Sequence, residues 1–418
     1  MKRFLPKSEF KRNVLTLFTG TVIAQAIPIA ISPILTRLYS PEEFGLFALY
    51  MGLAAVLSVI VTGRYDLAVM LPKDDDAAAN LVILSLVISV IVSLLTLGVI
   101  FLTSSNIASV LGKPEIEKWL FLLPITIFLI GIYQSLNSWN NRKKRYATLA
   151  KNRIYQSSSI SLAQVSGGLI SGSGFLLIIG DLIGKIISTF ILAFKTWKLD
   201  SSKFLNTKKS KKWTLAKRYK KFPIFDTGAT LANVSAYQMQ NILFPIFYGL
   251  ASAGFYFLVI RVLQAPLSLI SASLTDVYKQ KLTDPKTTDD DLKRYYKKMF
   301  VFLFSTGLPL LVVFMLIGKT LFSLVFGSEW RVAGEYAIIL APMFFIRFIA
   351  SPLSYFLYLK EKQDIDMLGN VVFFIVGLSS IIFSNSIKDA VLYMSISFSL
   401  LYIAYILYSA KLAGLTDK

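Results

Sequence analysis

The chain contains no cysteine and no histidine. The first absence excludes disulfides, thiolate nucleophiles and Fe–S ligation. The second removes the commonest proton shuttle and metal ligand, so any H+ or Na+ coupling has to run through Asp or Glu. Acidic residues are themselves scarce, 24 against 44 Lys plus Arg, for a formal net charge of +20. No phosphate-binding glycine loop and no cluster of metal-ligating residues appears, which leaves an enzyme reading without its reacting groups. Charge of any kind is sparse. Only 16% of the 418 residues are charged while 55% are hydrophobic, and mean hydropathy is +0.62. A soluble core needs far less apolar sequence, so the composition implies an all-α integral membrane protein.

Apolar runs of spanning length predict twelve transmembrane helices. They are Val14–Leu38, Phe44–Thr62, Asn80–Leu102, Trp119–Trp139, Ile154–Ser171, Gly174–Phe194, Pro223–Phe247, Gly254–Tyr278, Met299–Gly318, Ala337–Tyr358, Met367–Ser384 and Ala390–Ser409. The first follows Lys2, Arg3, Lys7, Lys11 and Arg12 but is too long for a signal-peptide core and has no small-residue cleavage site, so it counts as a span. Pro28 and Pro33 inside it predict a kink or broken turn. The 5 Trp fall at or near span ends, as an interfacial belt would place them.

Most basic residues lie in alternate connecting segments, above all Met1–Asn13, Asn140–Arg153, Lys195–Phe222 and Lys279–Lys298. The opposite loops hold only Lys113, Lys118, Lys319, Arg331 and Lys388. By the positive-inside rule both termini are cytoplasmic. The segment Lys195–Phe222, with its KKSKKW and KRYKKF runs, mixes aromatics with cations in a way that also suits nucleic acid. Charge bias and contact with anionic membrane lipids account for it, so no nucleic-acid partner is expected.

The chain repeats itself weakly across that basic segment. Tyr39–Gly45 matches Tyr248–Gly254, Asp66 matches Asp276, Val110–Gly112 matches Val325–Gly327, Pro124 matches Pro342 and Asn152 matches Asn370, with a slowly drifting offset. This predicts two six-helix bundles, residues 1–198 and 223–418, joined by a basic linker, 199–222. Six is even, so the bundles should be related by a pseudo-two-fold axis along the membrane normal, with a central cavity between them.

Two equivalent spans carry polar faces. In Pro223–Phe247, Asp226, Thr230, Asn233, Tyr237 and Asn241 recur at steps of four and three; in Val14–Leu38, Thr21, Gln25, Pro28, Ser32 and Thr36 do the same. Such stripes turn away from lipid, toward other helices or a watery cavity. The charges within spans are Arg37, Arg64, Asp66, Asp181, Lys185, Asp226, Arg261, Asp276 and Arg347. Asp181 and Lys185 are four apart and able to neutralise each other. Arg37, Arg64 and Asp276 lie close enough to span ends to snorkel. Arg261 and Arg347 sit deeper, about 10 and 15 Å from the outer ends of their spans at ~1.5 Å per residue. A mid-membrane arginine costs ~2.5–3.5 kcal/mol even on the mild scale, so each should meet a cavity or an anion. The candidate cationic lining is thus Arg37, Arg64, Lys185, Arg261 and Arg347. The polar wall is Gln25, Asp226, Asn233, Tyr237 and Asn241, and Asp66, Asp226 and Asp276 are the candidates for cation coupling.

The segments GRYDLAVMLPKDDDAAAN (Gly63–Asn80), TRLYSPEEFGLFALY (Thr36–Tyr50) and VLGKPE (Val110–Glu115) resemble bacterial polysaccharide exporters of the O-antigen flippase type. The resemblance implies the fold of the multidrug/oligosaccharidyl-lipid/polysaccharide exporter superfamily and alternating access. It also implies an undecaprenyl-diphosphate-linked oligosaccharide, flipped from the cytoplasmic to the periplasmic leaflet of the bacterial inner membrane for O-antigen (lipopolysaccharide), capsule or exopolysaccharide synthesis. A polymerase and a chain-length regulator would be pathway partners, and lumen cations would receive diphosphate or acidic sugars. The alternative is a cation-coupled multidrug antiporter of the same superfamily, which would want an acidic, aromatic pocket.

Overall fold

The computed structural model describes residues 9–111, 114, 116–205, 207, 209–282 and 288–415, with side chains described for all but 9–15, 209–211, 229, 265–266, 268–270, 272–277, 279–281 and 363. The described chain is helical throughout. In order, the helices are α1 (Glu9–Leu38), α2 (Pro41–Ser58), α3 (Tyr65–Ala68), α4 (Asp75–Val110), α5 (Ile116–Leu120), α6 (Leu123–Arg142), α7 (Tyr146–Ile170), α8 (Gly174–Leu205) and α9 (Lys209–Arg218). A π-helical turn, Phe222–Asp226, leads into α10 (Thr227–Tyr248). Then come α11 (Leu250–Leu282), α12 (Asp289–Phe326), α13 (Arg331–Leu353), α14 (Tyr355–Leu359), α15 (Gln363–Ile382) and α16 (Ile387–Leu412).

A helix covers the bulk of each expected span. Among the described residues, eight helical stretches are long and apolar enough to cross a membrane: Thr16–Leu38, Asp75–Val110, Ile116–Arg142, Gly174–Leu205, Asp289–Phe326, Ser328–Leu359, Asp364–Ile382 and Ile387–Leu412. In α11 the apolar run among the described residues is Leu250–Gln264, and three further helices are more polar. α2 opens on Glu42 and Glu43, α7 carries Lys151, Asn152, Arg153 and Gln156, and α10 carries the polar stripe. Helix starts are set by short polar caps. Asp74 accepts from the Ala77 amide at 2.6 Å, Ser386 from Asp389 at 3.2 Å, and Thr288 with Asp291 forms a reciprocal capping box.

The chain divides into two compact units, Met1–Ile246 and Phe247–Lys418, so most of α10 is counted with the first. Within that unit α7 lies along both α1 and α8, α4 along α6, and α9 against α4. The α4–α6 contact is built on small residues: Ser85, Ser89, Ser93 and Thr96 are buried on α4, and Ser135 on α6. Ser85, Ser89, Thr96 and Ser135 return their hydroxyls to carbonyls one turn back at 2.8–2.9 Å, which satisfies them while the backbones approach closely. Toward one end of the unit Tyr65, Trp139, Leu149, Leu192, Phe204 and Leu215 form an apolar cluster. In the second unit α13 packs against α11, α12 and α16. Tyr278, Tyr296, Leu303, Phe348 and Phe356 make the matching cluster there.

Four expectations need correction. Of the kink or broken turn expected at Pro28 and Pro33, the broken turn does not occur: α1 is continuous helix there, with Ser32 and Thr36 hydroxyls bonded back onto Pro28 and Pro33 carbonyls at 2.6 and 3.2 Å. The expected loop Asn140–Arg153 is mostly helix, since α7 starts at Tyr146; its first turns are too polar for a hydropathy window to see. The expected loop Lys195–Phe222 is largely helical as well, as the end of α8 and α9. Trp139 and Trp330 are fully buried rather than interfacial. Trp139 donates to the Asp200 carboxylate at 2.8 Å and packs on Phe204, whereas Trp330 sits edge-on to Phe255.

Candidate functional site

In the first unit, α1, α6 and α7 border an open polar recess of about 280 Å³ lined by Thr21, Gln25, Tyr133, Arg153, Gln156 and Ser157. Gly20 is what lets it form. A Cβ at Gly20 would come within 2.5 Å of the Ala150 side chain, so only glycine allows α1 and α7 this close. One residue on in α1 and one turn on in α7, the half-buried Arg153 guanidinium donates to the Thr21 hydroxyl at 2.6 Å. That bond uses one of five N–H groups and leaves a forked donor facing the recess. Gln25, on the α1 stripe, borders the same space and is exposed to it. Sequence reasoning missed Arg153 by placing it in a loop; the signal available was its spacing from Gln156 and Ser157 on one helical face.

A second charged feature lies where α2 gives way to α3. Gly63 and Arg64 both take left-handed backbone, at φ 56° and 59°. The conformation costs an arginine about 1–2 kcal/mol. It turns the guanidinium onto Asp226 at the end of the π-helical turn, with Nε to Oδ2 at 2.6 Å. Tyr65, the next residue, donates its hydroxyl to the Ala216 carbonyl at 3.1 Å. Consecutive residues thus hold both ends of the segment 216–226.

In the second unit α11 and α13 line a small recess of about 60 Å³, room for a water or two, with Gln264, Ser271, Phe344, Arg347 and Ser351 around it. The Arg347 guanidinium lies 5.9 Å from the Phe344 ring centre, a cation–π arrangement. Arg261 is one turn before Gln264 on the same face of α11. It is half-buried, and among the described residues it has no hydrogen-bond or ion-pair partner.

The remaining expected site residues distribute unevenly. Arg37 is exposed at the end of α1 and donates to the Pro33 carbonyl of its own helix at 2.6 Å. Lys185 is buried and paired with Asp181 one turn away. Asp66 is buried and accepts from the Thr62 hydroxyl at 2.6 Å. On α10 Tyr237 is exposed, Asn233 is half-buried, and Asn241 donates to the Gln238 side chain at 2.8 Å. The Asp276 side chain lies outside the described residues. Among the described residues no group of three or more Asp and Glu converges as a metal site.

The family described as polysaccharide biosynthesis protein matches residues 34–335, most of the chain. The chain belongs to that family. It also shares its fold with solved structures described as transporters. A structure described as lipid II flippase MurJ, in an inward closed conformation, superposes with a TM-score of 0.72 at 14% identity, covering 95% of this chain and 87% of the other. An inward-facing multidrug resistance MATE family transporter of the MOP superfamily gives 0.60 at 11% identity over 96% of each chain. A MOP superfamily transporter from Pyrococcus furiosus gives 0.61 at 12% identity over 97% of each. No curated protein matches the sequence. The fold is thus one also found in solved structures described as a flippase and as transporters.

Proposed function

We propose that this protein flips a lipid-linked oligosaccharide, an undecaprenyl-diphosphate-bound glycan repeat unit, across the cytoplasmic membrane by alternating access. One observation carries the reading: a chain of the polysaccharide biosynthesis family has the fold of a protein described as a lipid II flippase along 95% of its length. Supporting it, the charged side chains at the two recesses are Arg153 and Arg347, with Arg261 one turn away from the second. Guanidinium forks suit a diphosphate and do not suit an organic cation. The multidrug alternative would want an acidic pocket, and neither described recess carries an acidic residue, although a MATE transporter shares the fold. For one MOP superfamily transporter of this fold, reverse polarity of the binding pocket is described as suggesting a different function. In this reading the chain has twelve spans in two six-helix bundles, divided at the basic linker 199–222, with both termini cytoplasmic. Reporter fusions at Thr207 and Pro114 should then report opposite sides. The pathway's polymerase and chain-length regulator would act downstream, and coupling to H+ or Na+ would fall to a carboxylate.

The test is glycan display in a strain lacking the protein, complemented by Arg153→Ala, Arg261→Ala or Arg347→Ala at matched membrane levels. Losing charge-assisted bonds worth roughly 1.5–3 kcal/mol lowers effective substrate affinity about ten- to hundredfold. Lys should rescue in part and Glu should be worse than Ala. Equal display by the Ala and Glu variants would show that these arginines meet no anion.

A further inference from the structure

The segment from α9 through the π-helical turn has two faces. Leu215, Tyr219 and Phe222, at steps of four and three, pack into the first unit's apolar cluster. The opposite stripe, Trp213, Lys217, Lys221 and Ile224, runs at steps of four, four and three and is exposed. Trp213 is 67% and Ile224 59% accessible, Phe225 beside it 68%, and the Lys217 ammonium lies 5.4 Å from the Trp213 ring centre. No acidic residue occurs between Asp200 and Asp226. The stripe begins eight residues after α8, a stretch apolar enough to span a membrane, and leads into α10.

We propose that this stripe is a docking surface for anionic phospholipid headgroups, which holds α9 flat against the bilayer. Three observations fit one occupant. Cations alternate with exposed apolar groups along a single helical line, which matches the headgroup–acyl boundary. A tryptophan beside a span end belongs at headgroup depth. The uninterrupted positive charge is complementary to an anionic leaflet. The inference is independent of the substrate, because none of these residues borders either recess. Its mechanical meaning comes from the Tyr65–Ala216 and Arg64–Asp226 bonds, which tie the lipid-facing segment to the bend after α2.

The absence of native cysteine makes the test direct. Thr214→Cys, labelled with an environment-sensitive fluorophore, is reconstituted full-length into nanodiscs containing brominated phosphatidylglycerol or, at the same fraction, brominated phosphatidylcholine. The anionic lipid should quench about twofold more or better, with the difference shrinking at high salt. Replacing Lys217, Arg218, Lys220 and Lys221 by Gln should bring the two lipids to equal quenching while leaving the size-exclusion profile unchanged. Equal quenching in the parent, or a preference that survives the Gln variant, overturns the proposal. Displacement of the label from the lipid by an oligoribonucleotide would assign the face to nucleic acid and overturn it too.

Discussion

Removing the Lys185 ammonium alone should be among the most damaging single changes in the first unit. Its Nζ and the Asp181 carboxylate are paired within one turn of α8, with side chains only 10% and 5% accessible. Lys185→Met leaves the Asp181 carboxyl buried in an apolar helix with its partner gone. Breaking a buried pair from one side costs about 3–5 kcal/mol, most of it the desolvation of the stranded charge. For a unit the size of Met1–Ile246, at roughly 2–4 °C per kcal/mol, the melting midpoint should fall by about 6–20 °C. The double variant Asp181→Leu with Lys185→Met removes both charges and fills similar volume. It should return to within about 1 kcal/mol of the parent, since a hydrophobic replacement of a whole buried pair is often neutral or better. The assay is the fraction of monodisperse protein on size exclusion after heating in detergent, run beside glycan display. If the double variant melts as low as the single one, the pair is doing more than neutralising itself. If it folds at the parental level and displays no glycan, Lys185 meets substrate, and its reading as a structural ion is wrong.

Asp226→Asn should cost about 1 kcal/mol, because the Arg64 pair is half-open to solvent on the carboxylate side, and should leave the pH and Na+ dependence of transport unchanged. A lost Na+ or pH response would instead make Asp226 the coupling carboxylate. Arg64→Gly should keep the left-handed turn and remove the ion pair, whereas Arg64→Val should lower folded yield further, since a β-branched residue at φ 59° is strained; equal yields would show that the turn geometry is unimportant. Gly20→Leu should force α1 off α7 and lower both yield and display, with little effect from the same change at Gly98, where a Cβ would meet nothing within 4 Å.

Hydropathy made the apolar helices legible, because long runs such as Asp75–Val110 and Asp289–Phe326 have few other ways to fold. The polar helix α7 was not legible at its start, and with it went Arg153. A span that faces other helices on several sides can afford Asn, Arg and Gln early in its length, so its hydropathy resembles a loop. The tryptophans illustrate the same blind spot from the other side. Trp139 and Trp330 sit near span ends in sequence but inside helix junctions in space, where Asp200 receives the Trp139 N–H. The i,i+4 pairing of Asp181 with Lys185 was readable because it is local, whereas the Arg64–Asp226 pair joins residues 162 apart and depends on a left-handed turn that no spacing announces.

The π-helical turn carries a consequence for the helix behind it. Pro223 has no amide hydrogen to donate there, and the turn closes instead through the Thr227 amide onto the Phe222 carbonyl, five residues back. One residue more than an α-turn needs is thereby held in reserve. Each residue of an α-helix advances the chain about 100° around its axis. Taking up that surplus would swing Asn233, Tyr237 and Asn241 through roughly a quarter of a circle without breaking α10, and would carry Asp226 off Arg64 in the same step. Deleting Ile224 would set that rotation permanently. The turn therefore fixes the angle at which the polar face of α10 leaves the segment before it, and a one-residue deletion there is the change that would reset it.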